Sequence, residues 1–334
     1  MRLPKLYLLL LLAISAAAQT TQQTPQTLPA LPANDEVRVQ EFYRLAGQIQ
    51  NRIWPEWSNT PAPIILVTKD AEYIFHHPSP PKEFVAVEGG QHARPRQFPV
   101  GLLATFPAFG PPSVIVVGEP ANTQSKTSTP WLFTLMHEHF HQLQDAQPGA
   151  LDLDEKLGLN HGDKTGMWML DFPFPYKEPS VIASFTALRD QLLAVVQESD
   201  ATEFKKKARA YAQARKKFFA QLKEDDGKYL EFQLWKEGIA RYIEVHSAEA
   251  GAQYEPTSAY KALPDYQAFS EYAKQARNKT LAECKDADLA KWQRTVVYSF
   301  GATEGFLLDR ISPQWTKEYF KQPFTLAPEF EAIH

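Results

Sequence analysis

The chain has 334 residues, 44% of them hydrophobic and 22% charged, which is enough apolar material for a sizeable core and too balanced for wholesale disorder. Its formal charge of −4 supplies no global field for nucleic acid and excludes that partner on composition. One cysteine, Cys284, rules out an intrachain disulfide, and its setting, Leu-Ala-Glu-Cys-Lys-Asp, has no local sign of reactivity.

Residues 1–18 begin with Arg2 and Lys5, continue with an apolar run over 6–14 and end in Ala16-Ala17-Ala18. Basic start, apolar centre and small-residue end are the parts of a cleavable signal peptide, so a secreted or periplasmic protein is expected. The run is too short to cross a bilayer as a helix, so no membrane span is expected in the mature chain. Residues 19–34 are rich in Gln, Thr and Pro and read as a flexible linker. One unit is expected over 35–334, with an α/β part at 35–146 and a mainly helical part at 147–334.

Val39, Phe42, Leu45, Ile49 and Ile53 recur at helical spacing, which predicts a helix over 36–53. Strands are expected at 63–68, 72–75 and 113–118, with loop over most of 88–112. Thr129-Pro130 supplies an N-cap and a first-turn proline for a helix running to about Asp145. An irregular stretch rich in aromatics and prolines fills 147–179. Helices are expected near 180–197, 201–223, 227–249, 264–277 and 287–309. The fold class is α+β, a small mixed sheet followed by a helical lobe.

His137-Glu138-His139-Phe140-His141 contains the HExxH pattern. Residues four apart on a helix lie one above the other, so His137 and His141 can share one zinc ion. Glu138 projects to the same side, where a carboxylate can take the proton of a zinc-activated water attacking a carbonyl. On a helical wheel, Leu132, Leu135, Met136, His139 and Leu143 form one stripe, and His137, Glu138 and His141 lie opposite. His139 therefore reads as a core residue.

Two histidines leave zinc short of a protein ligand. The sequence after His141 lacks the glycine and histidine of a metzincin. The later segment Trp235-Lys-Glu237-Gly-Ile-Ala-Arg-Tyr242 offers a glutamate on a helix whose apolar face points the other way. Gly238 is expected to allow close approach to the HExxH helix. Glu244, one heptad on, and Asp145 remain alternative ligands.

HExxH followed by Glu-Gly-x-Ala-x-Tyr resembles the thermolysin-like gluzincin metallopeptidases. The resemblance covers roughly 113–145 and 230–309, although the interval between His141 and Glu237 is longer than usual in that group. It implies a zincin-like fold, a Zn2+ cofactor, and a peptide or protein substrate. It makes His137, His141 and Glu237 the metal ligands and Glu138 the base. Val296-Val-Tyr298-Ser-Phe-Gly301-Ala302 resembles a segment in which the tyrosine donates to the developing oxyanion, a role carried here to Tyr298. Strand 113–118 would run along the cleft and pair with extended substrate, or be a buried core strand.

Other features read as structural. The basic run Lys205-Lys-Lys-Ala-Arg209 and Arg215-Lys-Lys217 is expected to be a solvated helix face. His76-His77 lacks paired spacing elsewhere, and His161 and Asp171 stay unassigned. Asn278-Lys-Thr280 is a glycosylation sequon only if the host uses one. A non-catalytic peptide-binding protein on the same scaffold and a non-peptidase HExxH amidase are the competing functions. Amidases of the deformylase kind use Glu-Gly-Cys, a setting that Cys284 lacks.

Overall fold

The computed structural model describes residues 28–333, so the expected signal peptide and the first part of the linker lie outside the described residues. The linker ends earlier than expected. Leu31 is buried, the Tyr73 hydroxyl donates to the carbonyls of Pro29 and Ala30, and a helix starts at Ala33.

The α/β part holds α1 (Ala33–Ile53), β1 (Ile64–Val67), β2 (Ala71–Phe75), β3 (Val85–Ala86), β4 (His92–Pro95), β5 (Leu103–Phe106), β6 (Val114–Gly118) and α2 (Ser128–Asp145). The six strands form one mixed sheet in the order β3-β4-β2-β1-β6-β5. β1 and β6 are parallel, and the other pairings are antiparallel. The strand period of two divides the side chains. Ile64, Leu66, Ile115 and Val117 enter the main core, while Ile65, Val67, Val114 and Val116 face a smaller aromatic-capped cluster. Both faces of the sheet are thus covered.

The sheet refines one expectation and decides between the two readings of strand 113–118. The 88–112 stretch contains two strands, β4 and β5. Strand β6 is paired on both sides, by β1 and β5, so its backbone has no free edge for a substrate. The strand at the sheet edge beside α2 is β5.

The helical lobe comprises α3 (Ala150–Leu157), α4 (Trp168–Asp171), α5 (Pro179–Val196), α6 (Ala201–Gln221), α7 (Glu224–Gln233), α8 (Ile239–Gly251), α9 (Ser258–Lys261), α10 (Phe269–Asp286), α11 (Leu289–Trp292), α12 (Val296–Ile311) and α13 (Ala327–Glu331). A π-helical turn, Leu234–Gly238, joins α7 to α8, so the expected helix over 227–249 is interrupted at its centre. The main core runs without a break from Leu31 to Phe330. Among the described residues, no helix is long and apolar enough to cross a membrane.

Arg215 departs from its expected solvated face. It is buried, and its guanidinium donates to Glu304 (2.6 Å) and Glu231 (2.6 Å), brought in by α12 and α7. A charge of this kind tolerates burial only with such partners. The neighbouring Lys205, Lys206, Lys216 and Lys217 are exposed. The sequon also fails on geometry, since Thr280 is buried within α10 and bonds the Ala276 carbonyl. Cys284 is buried, and burial pushes its thiol up to about 12, so it is inert.

Candidate metal centre

Helix α2 lies between the β5–β6 edge of the sheet and helices α1 and α8, so nearly all of it is buried, polar residues included. His139 turns into the apolar core, stacked on Trp57 at 5.0 Å, and burial lowers its pKa to about 4. His137 and His141 are also buried, at 6% and 5% exposure. They point the other way, towards the π turn. Their Nε2 atoms are 3.2 Å apart.

Glu237, in that turn, completes the group. Its Oε2 is 3.6 Å from Nε2 of His137 and 3.3 Å from Nε2 of His141. These three donors form a metal-capable cluster among the described residues. A tetrahedral zinc with bonds of about 2.0–2.1 Å has ligand atoms roughly 3.3 Å apart. The observed triangle of 3.2, 3.3 and 3.6 Å therefore has the size of one face of such a tetrahedron, and the three donors would hold one ion. π turns widen the helix locally and often mark functional sites.

Each histidine is oriented through its other nitrogen. Nδ1 of His141 lies 2.7 Å from Oε1 of Gln144. The Gln144 amide nitrogen faces the carbonyls of Trp235 (3.3 Å) and Lys236 (3.1 Å) and the Tyr319 hydroxyl (2.7 Å), which leaves Oε1 as acceptor. His141 therefore carries its proton on Nδ1 and offers a lone pair on Nε2. The same glutamine holds the backbone just before Glu237. Nδ1 of His137 is buried without a hydrogen bond, 3.6 Å from Oε2 of Glu244. His137 thus has one carboxylate facing each ring nitrogen.

The charges show what the cavity demands. Burial alone would lower the pKa of His137, but Glu237 and Glu244 outweigh it and raise it to about 10. Burial opposes the charge on Glu237, yet the two imidazoles and Arg294 hold its carboxyl well below the usual range. Burial likewise opposes ionisation of Glu244, and Arg241 and His137 hold it down to about 2. Two imidazole nitrogens at 3.2 Å need a proton or a metal cation between them, since bare lone pairs at that distance repel. The residues present fit a divalent ion of zinc type, with nitrogen and oxygen donors in a charge-hungry pocket.

Glu138 points towards the sheet edge. Its Oε2 accepts a hydrogen bond of 2.7 Å from the Thr105 hydroxyl, which also lies 3.1 Å from the Glu138 carbonyl. Thr105 belongs to β5, a short strand within the stretch expected to be mostly loop. Tyr298, near the start of α12, lies with its ring almost parallel to His137 at 6.0 Å. Burial and then Glu237 push its phenol up, so it stays a donor. Its hydroxyl accepts from Nη1 of Arg294 at 3.3 Å.

The five residues singled out from sequence thus meet around one locus. The alternatives go elsewhere. Glu244 faces the outer nitrogen of His137. Asp145 pairs with Lys236 at 2.8 Å and accepts from Ser113 at 2.7 Å. His161 and Asp171 are solvent-exposed, and His76 stacks on Tyr43. Gly238 makes its close approach to Gly301 of α12 rather than to the HExxH helix. A β-carbon on Gly238 would lie 2.7 Å from the Gly301 Cα. The glycine pair therefore sets the spacing between Glu237 and Tyr298. Thr105, Gln144 and Arg294 were missed. Only Gln144 carried a trace, being three residues beyond His141 on the same helix.

Comparison of the chain with family models, curated proteins and solved structures finds no match.

Proposed function

We propose that the protein is a zinc-dependent metallopeptidase of gluzincin type on a zincin-like fold, exported by the signal at residues 1–18. The observation that carries this reading is the triangle of His137, His141 and Glu237 donors, sized for one tetrahedral ion. Zinc held there would polarise the scissile carbonyl and acidify the attacking water.

The remaining work falls to the chain's own side chains. Glu138 takes the water's proton and returns it to the leaving amine, and Thr105 fixes the carboxylate for that transfer. The Tyr298 phenol, kept protonated by its surroundings, donates to the oxygen that gains charge in the transition state. The edge of β5 not paired with β6 places backbone donors and acceptors beside Thr105, where an extended peptide can add as a strand.

Hydrolysis of a mixed peptide library by wild type, chelated wild type and Glu138→Gln tests the reading. Cleavage by wild type alone, with zinc retained in Glu138→Gln, is expected. Cleavage of none of the library by zinc-loaded wild type would refute it and leave a binding protein.

A further inference from the structure

Arg294 lies in the short 3-10 turn Gln293–Thr295 that leads into α12. Its Nη1 is 3.3 Å from the Tyr298 hydroxyl, 3.4 Å from Oε1 of Gln233 and 3.7 Å from Oε1 of Glu237. Among the described residues, all its polar contacts run through this one nitrogen. No hydrogen bond from Nε or Nη2 is seen among the described residues, and 20% of the side chain is open to solvent. The guanidinium is thus anchored at one corner beside a metal donor, with its Nε–Nη2 edge free. That edge carries two parallel N–H groups, the geometry that receives a carboxylate bidentately.

The surroundings suit a peptide rather than a small ion. Gln233, which holds Nη1, donates through Nε2 to the Met169 carbonyl at 2.9 Å. The segment around Met169 is therefore tied to the same edge of the site. Met167 and Leu170 on that segment, and Trp292 two residues before Arg294, are exposed apolar side chains, as is Val85 on the sheet. Gln293 holds φ 48°, a backbone conformation that a non-glycine residue keeps only where its surroundings impose it. It immediately precedes the arginine that the turn directs inward.

We propose that Arg294 is a specificity-determining residue that binds a substrate carboxylate through its free Nε–Nη2 edge. The site then takes peptides with an acidic group within one or two residues of the bond to be cut. This rests on the peptidase reading above. The carboxylate is either the free C-terminus or an Asp or Glu side chain, which offer the same pair of oxygens.

Binding to the Glu138→Gln variant tests the proposal without turnover. Zinc-loaded protein is titrated calorimetrically with three N-acetyl tetrapeptides: a neutral amide, its free acid, and an amide with Glu at an inner position. At least one carboxylate peptide is expected to bind about tenfold or more tighter than the neutral amide, the worth of one charge-assisted bidentate pair. Which one does so identifies the source. The preference should vanish in Glu138→Gln/Arg294→Gln. It should weaken in Glu138→Gln/Arg294→Lys, which keeps a charge near Glu237 and loses the fork. Zinc content is measured for each, and the lysine variant decides if the glutamine variant loses metal. Equal binding of the three peptides, binding of none, or a preference that survives both substitutions overturns the proposal. Wild-type cleavage of acidic and neutral peptides at equal rates would overturn it while leaving the peptidase reading intact. An arginine-dependent preference without any cleavage would do the reverse.

Discussion

Oε1 of Gln144 sits 2.7 Å from Nδ1 of His141, while the amide nitrogen of the same side chain reaches the carbonyls of Trp235 and Lys236. One residue therefore orients a metal-facing imidazole and fixes the turn that presents Glu237. The three-residue step from His141 places Gln144 on the same side of α2, next to the π turn. Widened turns leave backbone carbonyls in need of donors, and this amide supplies one.

Gln144→Leu keeps the volume and removes both functions. Zinc affinity is expected to fall by about 10- to 100-fold, the usual worth of an outer partner to a metal ligand. Competition titration with a chromophoric chelator measures it. Unchanged affinity would show that His141 is oriented by packing alone.

Thr105 makes a separable contribution. Its hydroxyl touches the Glu138 carboxylate and none of the three metal donors. Thr105→Val should leave zinc content intact and lower kcat by about tenfold or more, part of the 10²–10⁴-fold that acid–base catalysis supplies. KM should change little. A fall in zinc content would instead place Thr105 among the supports of the metal.

His139 gives a pH signature of the core. Its pKa is about 4 when folded, against 6.5 for the free side chain, because burial disfavours its charge. The unfolded chain takes up the proton first as pH falls. The stability contribution is thus complete above about 6.5, shrinks as pH drops towards 4, and levels off below that. The loss amounts to roughly 3 kcal/mol across this window. Urea unfolding of chelator-treated wild type and His139→Gln at several pH values reads it as a difference in slope. Parallel slopes would mean that His139 is protonated in the folded protein.

Much of the frame was legible in local pattern. The α1 and α2 helices and strands β1, β2 and β6 each lie within a few residues of the position expected from periodicity and turn residues. The His137–His141 spacing and the placement of His139 followed from the helical period alone. What escaped was set by distant partners. Strand β5 is only four half-buried residues, Leu-Ala-Thr-Phe, between Gly101 and Pro107, and it exists because β6 pairs with it. With it went Thr105. Arg215 stands in a basic run that reads as solvated, and only the fold brings Glu231 and Glu304 to it. Gly238 signals a close approach, expected to the HExxH helix, but the fold gives it Gly301 as partner. The π turn arises inside an unbroken helical pattern, because an extra residue per turn leaves no mark in composition.

Zinc binding by wild type and Glu237→Ala is the most direct test of the site. One zinc per chain in the wild type is expected, with affinity reduced at least tenfold when the third protein donor is removed. A wild type that binds no zinc, or a Glu237→Ala protein that binds it as tightly, would contradict the arrangement of ligands described for this protein.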